Sequence, residues 1–357
     1  MGVSPVDQVF DQALGVLGDT GPEYSAFGGR ISFANHGPMV IEALSTMGRE
    51  GVVLDWAQQY RPRLEGRPVS RARILSSEWR EALADMSRLR DWADLFDREL
   101  AESPWTEVLN RWLPRLAPGM VGGVHGAIRT AHGIRSLGRQ VTALRLHELA
   151  EGLAYWAAQY ETLPRSEGPG NLLPSQAIAQ LEQLDLADRT GWIRFTDPIR
   201  KLSTLPSFAG AADLVDTDRD PSTIVADLAR SFAAILITNN ATVNPRALCH
   251  GLTAGAAPRM MWGHLSAEAT EAALRYGWQT AAAFYSALVL ESPAERIEAP
   301  TQTVDQIIDE ALACPDEHAV KVTEACWREY ALDPDPVYLV AAVSTIRRLN
   351  DVGLNLY

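Results

Sequence analysis

Cysteine is scarce in this chain of 357 residues, occurring only at Cys249, Cys314 and Cys326. Three thiols exclude a paired disulfide framework and a C-x-x-C site, and they fit a reducing compartment. A basic excess is also absent. Asp and Glu number 45 against 32 Lys and Arg, a formal net charge of −13, so phosphate backbones are repelled and no nucleic-acid partner is expected. Long hydrophobic runs are missing too. The two longest apolar stretches, near residues 232–241 and 281–290, are too short to span a bilayer and read as buried helices, so no membrane partner is expected. The start, MGVSPVDQVFDQALG, has no basic segment followed by an apolar core and fits myristoylation poorly, which makes the cytoplasm the expected location. Sustained β alternation is rare. The glycine-rich GMVGGVHG at 119–126 has neither G-x-G-x-x-G spacing nor a P-loop lysine, so no nucleotide site is read.

What the chain does have is helical periodicity and enough apolar content, 46%, to build a large core. Apolar and charged residues alternate at helical spacing over 66–113, most clearly in SSEWREALADMSRLRDWADLFDREL, and again over 122–160. LPRSEGPGNLLPSQ at 163–176 is a turn-rich break, after which SQAIAQLEQL restarts a helix, and 204–221 is an irregular connection. Further helices are expected near 223–238, 245–257, 266–290, 302–314, 316–331 and 335–350. The expected architecture is mostly α: one large multi-helical domain over 1–357, its helices surrounding a buried histidine-lined cavity, with an internal break near 163–176 too weak to establish two domains.

Histidines carry the chemistry. Of seven, His36, His125, His132 and His250 are each followed by glycine, which removes a side chain beside the imidazole and lets backbone or ligand come close. His36 follows Asn35 and precedes Gly37 and Pro38, a helix-start signal, and reads either as a ligand aimed into a cavity or as a packing residue. His125 and His132 stand seven residues apart, two turns along one helical face, with Arg129 between them and Arg135 beyond. Imidazoles are good ligands for transition metals, and an arginine there would orient an anionic or phenolate substrate. That spacing is wide for one ion, and ordinary structural histidines fit it equally well.

Cys249 beside His250 does not make a nucleophile–base pair, because neighbouring side chains on a helix diverge. His264 reads as a ligand, a hydrogen-bond donor or part of a packed wall beside Trp262. His318, Lys321 and Glu324 recur at three-residue spacing on one face. Lys321 reads either as a solvent lysine or, if carboxylated, as a hard oxygen donor. His147, Glu148, Glu151 and Tyr155 form a second polar stripe at helical spacing, equally compatible with plain packing. Trp262, Tyr276, Trp278, Phe284 and Tyr285 are candidates for a planar-substrate pocket, although aromatics are also ordinary core material.

Taken in order, NHGPMVIEALSTMG, HGAIRTAHGIR, LAEGLAYWAAQY, CHGLT with AAAFYSAL downstream, and HAVKVTEA resemble the questin oxidase-like family over roughly 24–350. That resemblance implies oxygen insertion into, or carbon–carbon cleavage of, aromatic polyketides of the anthraquinone type. Some members are described as NADPH-dependent Baeyer–Villiger oxidases without an ordinary flavin fold. One branch is similar to a non-haem iron oxygenase whose Fe(II) is held by four histidines and a carboxylated lysine. Carried across by motif, the ligands are His36, His125, His250 and His318, with Lys321 as the modified lysine, and His132 falls among the pocket residues. The chain is short for the fungal enzymes and its His-Gly-Pro start differs from theirs, so a smaller aromatic substrate is as compatible as an anthraquinone.

The expected activity is therefore an iron-dependent oxygenase using dioxygen on a quinone or hydroquinone, with Arg129 and His132 orienting the substrate. Two other readings stay open at this level. One is a metal-independent or NADPH-assisted Baeyer–Villiger-type monooxygenase in which the histidines handle protons; the other is a noncatalytic helical binding or scaffold protein.

Overall fold

The computed structural model describes residues 5–18, 20–23, 34–75, 77–165, 168, 170–189, 196–239, 245–290 and 299–352. The chain is mostly helical, as its periodicity implies. It folds as two compact units, residues 1–161 and 162–356. The first four residues, parts of the 163–176 break and the end of the 232–241 stretch lie outside the described residues.

The first unit contains α1 (Pro5–Leu17), α2 (Gly37–Thr46), α3 (Glu50–Tyr60), α4 (Leu89–Glu102), α5 (Trp105–Leu116), α6 (Val124–Arg139) and α7 (Ala143–Ala158). A short antiparallel ribbon joins β1 (Thr20–Glu23) to β2 (Leu64–Gly66), with Glu23 opposite Leu64. Trp79, Trp92, Phe96 and Trp112 meet at ring-centroid distances of 5.0–5.8 Å. Those rings anchor α4 and α5, because each removes a large apolar area from water.

The helix expected across 66–113 is interrupted. It begins only at Leu89, since Ala84 takes a left-handed φ of 60° and Asp85 then accepts hydrogen bonds from the Ser87 backbone and hydroxyl. The chain before it is turn and 3-10 structure, held by the Ala84 N–H donating to Ala157 O at 3.1 Å and the Trp92 indole donating to Ala82 O at 3.0 Å. The block over 122–160 is likewise two helices, because the backbone turns extended at Gln140 and Thr142 caps α7 through the Arg145 N–H.

α6 and α7 run antiparallel and close together. A Cβ on Gly126 would fall 2.3 Å from Trp156 N, and one on Gly152 would fall 2.9 Å from Thr130 Oγ1. Glycines on both helices let the backbones approach further than alanine would permit.

The second unit holds α8 (Pro174–Ile178), α9 (Thr196–Lys201), α10 (Pro221–Thr238), α11 (Pro245–Gly255), α12 (Ala267–Leu288), α13 (Val304–Ala313), α14 (His318–Leu332) and α15 (Pro336–Val352). The helix expected from SQAIAQLEQL stops at Ile178, and the connection over 206–213 is 3-10. α10 is, among the described residues, the one helix long and apolar enough to cross a membrane. It packs against α11 and α15 instead, burying Ile224, Leu228, Phe232 and Leu236.

Candidate metal centre

In the first unit the ribbon and two helix starts converge on His36. α2 begins at Gly37 because Asn35 Oδ1 accepts the Gly37 N–H at 3.0 Å and Pro38 presets the first turn. His36 is buried there, its N–H donating to the Tyr60 hydroxyl at 2.9 Å and its Nδ1 lying 3.1 Å from Glu23 Oε2. Tyr60 and Arg63 also hold Glu23. His125, in the first turn of α6, meets His36 edge to face with ring centroids 5.0 Å apart. The sequence placed these two imidazoles eighty-nine positions apart with nothing local to join them.

His132, one face along α6, is buried against another group: its Nδ1 is 2.7 Å from Glu42 Oε2 on α2. Burial alone would raise the Glu42 pKa, but Arg135, then His132 and Arg139, hold this carboxyl well below the usual range. Arg129 presents Nε and Nη2 to Glu148 at 2.6 and 2.7 Å. Burial opposes its charge, yet the Glu148 carboxylate overrides that effect and keeps the guanidinium firmly protonated. Arg129 also lines a crevice with Asn35, Arg67, Glu151 and Tyr155. The polar stripe on α7 belongs to the same region: Arg67 donates to Glu151 at 2.9 Å, and His147 Nδ1 lies 2.9 Å from Asp97 Oδ1.

In the second unit α11, α12 and α14 form a comparable cluster. His250 is buried on α11, its Nδ1 3.2 Å from Ala247 O and its ring stacked on Phe284 at 5.8 Å. His318 opens α14 and meets His250 edge to face at 5.4 Å. Its Nδ1 is 2.8 Å from Asp316 Oδ1, and Arg246 on α11 grips Asp316 from the other side. Asp316, Glu317 and His318 form a buried trio whose donor atoms lie within 4.8 Å of one another. Burial would raise the Asp316 pKa; His318 and Arg246 outweigh it and keep the carboxyl ionised well below its ordinary range.

Lys321 is buried one turn after His318. Nearby Cys249 is no nucleophile: burial is the largest influence on its thiol, Asp316 adds to it, Lys321 and Arg246 oppose it, and the pKa is pushed up to about 12. Of the aromatic candidates, Phe284 faces a histidine, whereas Trp278 is core and donates to Ala211 O at 2.7 Å. His264 is half-buried, its backbone N–H on Met261 O.

Each unit thus carries a pair of edge-to-face imidazoles backed by a carboxylate, buried at His36, His250 and His318 and half-buried at His125, a donor set suited to a transition metal. Sequence reasoning missed Glu23, Asp316 and Arg246. Asp316 was within reach, two residues before His318; Glu23 is brought to His36 by strand pairing that no local pattern announces.

Three of the four glycines that follow the histidines lie at close approaches of neighbouring protein, as expected for backbone at Gly126, whereas Gly133 has only ordinary contacts. A Cβ on Gly37 would meet Leu17 and Tyr60 at 2.8 and 3.0 Å, one on Gly126 the Trp156 backbone, and one on Gly251 the Phe232 ring at 2.2 Å.

A family model described as Questin oxidase-like matches residues 33–326 of the chain. No curated protein matches it.

Proposed function

The chain belongs to the questin oxidase-like family, and from that premise we propose that it is a non-haem iron-dependent oxygenase that opens the ring of an aromatic polyketide, quinone or hydroquinone. The observation that carries this reading is the two edge-to-face imidazole couples, His36 with the half-buried His125 and His250 with His318. Buried imidazoles with carboxylates behind them suit a divalent transition metal better than they suit an apolar core.

The ligands assigned to one Fe(II) are His36, His125, His250, His318 and Lys321. Lys321 enters as a carbamate: its neutral amine nitrogen bonds to the carbon of CO2, one proton is released, and an anionic oxygen donor results. Bound iron supplies the one-electron chemistry with dioxygen that side chains do not provide. The chain's residues do the rest. Phe284 and the surrounding apolar helices limit water, and Asn35 and Tyr155 line the crevice that contains Arg129. Arg129 and His132 are assigned to substrate orientation, each held in place by a buried glutamate, Glu148 and Glu42.

The test is dioxygen consumption by chelator-stripped protein reloaded with Fe(II) or with Zn(II), using an anthraquinone-derived hydroquinone and a single-ring hydroquinone. Turnover restored by iron alone, with a ring-opened product, is the expected result. Full turnover in strong chelator with NADPH would assign the histidines to proton transfer instead. No turnover under any condition would remove the oxygenase reading.

A further inference from the structure

An imidazole, a carboxylate and an arginine stand in series in each unit. His36 Nδ1 faces Glu23 Oε2 at 3.1 Å, and Arg63 holds Glu23 Oε1. His318 Nδ1 faces Asp316 Oδ1 at 2.8 Å, and Arg246 holds Asp316 Oδ2. A carboxylate that accepts from a guanidinium is the acceptor in the series, and the imidazole facing its other oxygen is the donor. The shared proton therefore resides on the imidazole Nδ1, which leaves Nε2 as the basic nitrogen of the ring.

We propose that Glu23 and Asp316 are positioning residues that fix His36 and His318 as Nδ1–H tautomers and turn Nε2 toward the metal, with Arg63 and Arg246 locking the carboxylates. The last step rests on the iron reading above; the tautomer assignment does not. Arg246 has a second effect, because it lies four residues before His250 on α11. The guanidinium that holds the tether of His318 is thus one turn from His250, so the two imidazoles are fixed relative to each other. His250 follows the same rule by a different acceptor, its Nδ1 facing the Ala247 carbonyl. Ligating histidines commonly donate their other N–H in this way, which orients the ring and raises its basicity.

The experiment uses the full chain, metal-free, with 15N-labelled histidine at about pH 8, well above the ordinary imidazole pKa, followed by Co(II) affinity from chelator competition. Wild-type protein should give Nδ1-protonated signatures for His36 and His318. Asp316→Ala should move His318 toward the Nε2–H form, leave His36 unchanged, and weaken Co(II) binding about 10–100-fold. Glu23→Ala should do the same to His36. Asp316→Asn keeps the side-chain shape and should weaken Co(II) binding by less; if the alanine variant does not fold, wild-type affinity in Asp316→Asn overturns the proposal. An Nε2–H signature for wild-type His318, or an unchanged tautomer in Asp316→Ala, overturns it directly. His318→Ala separates the two readings: unchanged Co(II) affinity there, with the tautomer switch intact in Asp316→Ala, sinks the metal assignment and leaves the tautomer assignment standing.

Discussion

Gly126→Ala measures how closely α6 must approach α7 for His125 to be placed. The added Cβ would lie 2.3 Å from Trp156 N and 2.5 Å from its Cα. These are backbone atoms and cannot swing aside, so the helices must part by about 1 Å to restore ordinary carbon contact. Overpacking of this kind costs roughly 1–3 kcal/mol, and alanine's better helix propensity returns about 1 kcal/mol. A net loss of up to about 2 kcal/mol is expected. Gly133, one face along the same helix, is the control, since a Cβ there would meet nothing nearer than Leu149 Cα at 3.7 Å. Gly133→Ala should therefore gain up to about 1 kcal/mol. Urea denaturation of the metal-free variants, followed by far-UV circular dichroism, compares them. Equal stabilities, or a more stable Gly126→Ala, would refute the close-approach argument.

Three further outcomes follow from the buried charges. Glu42→Ala should cost about 3 kcal/mol, the low end for a broken buried pair because Arg135 and Arg139 reach solvent, measured by the same denaturation. His147 has a raised pKa, chiefly through its hydrogen bond to Asp97. Its stabilisation is complete below the unfolded-state value near about 6.5 and disappears as pH rises through the folded value, so stability measured against Asp97→Asn should converge with the variant at high pH. Lys321→Ala should lose bound iron while keeping its helical circular dichroism, and Lys321→Glu should recover part of the metal by restoring an oxygen donor; wild-type iron content in Lys321→Ala would remove this residue from the ligand set.

Much of the second unit was legible because its helices carry their own punctuation. Pro221, Pro245 and Pro336 open α10, α11 and α15, and Ser266 and Thr303 cap α12 and α13, signals that act within one turn. α4 was overextended for the opposite reason. The residues before Leu89 have helical periodicity, but the hydrogen bonds from Ala84 to Ala157 and from Trp92 to Ala82 draw them into turns through tertiary contact. The family was readable because its motifs keep their order along the chain. Histidines were readable as candidates from residue type and the glycines beside them, and Asp316 was within reach of His318; Glu23 and Arg246 were not, since Glu23 reaches His36 through β1–β2 pairing and Arg246 reaches Asp316 from α11.

The central claim is one iron ion held by four named histidines, and an anomalous-difference map at the iron edge, from crystals of protein purified without chelator, tests it most directly. The account requires a single peak per chain within bonding distance of His36, His125, His250 and His318. Separate peaks at the two imidazole pairs, or no peak beside any of the four in protein that consumes dioxygen, would contradict it.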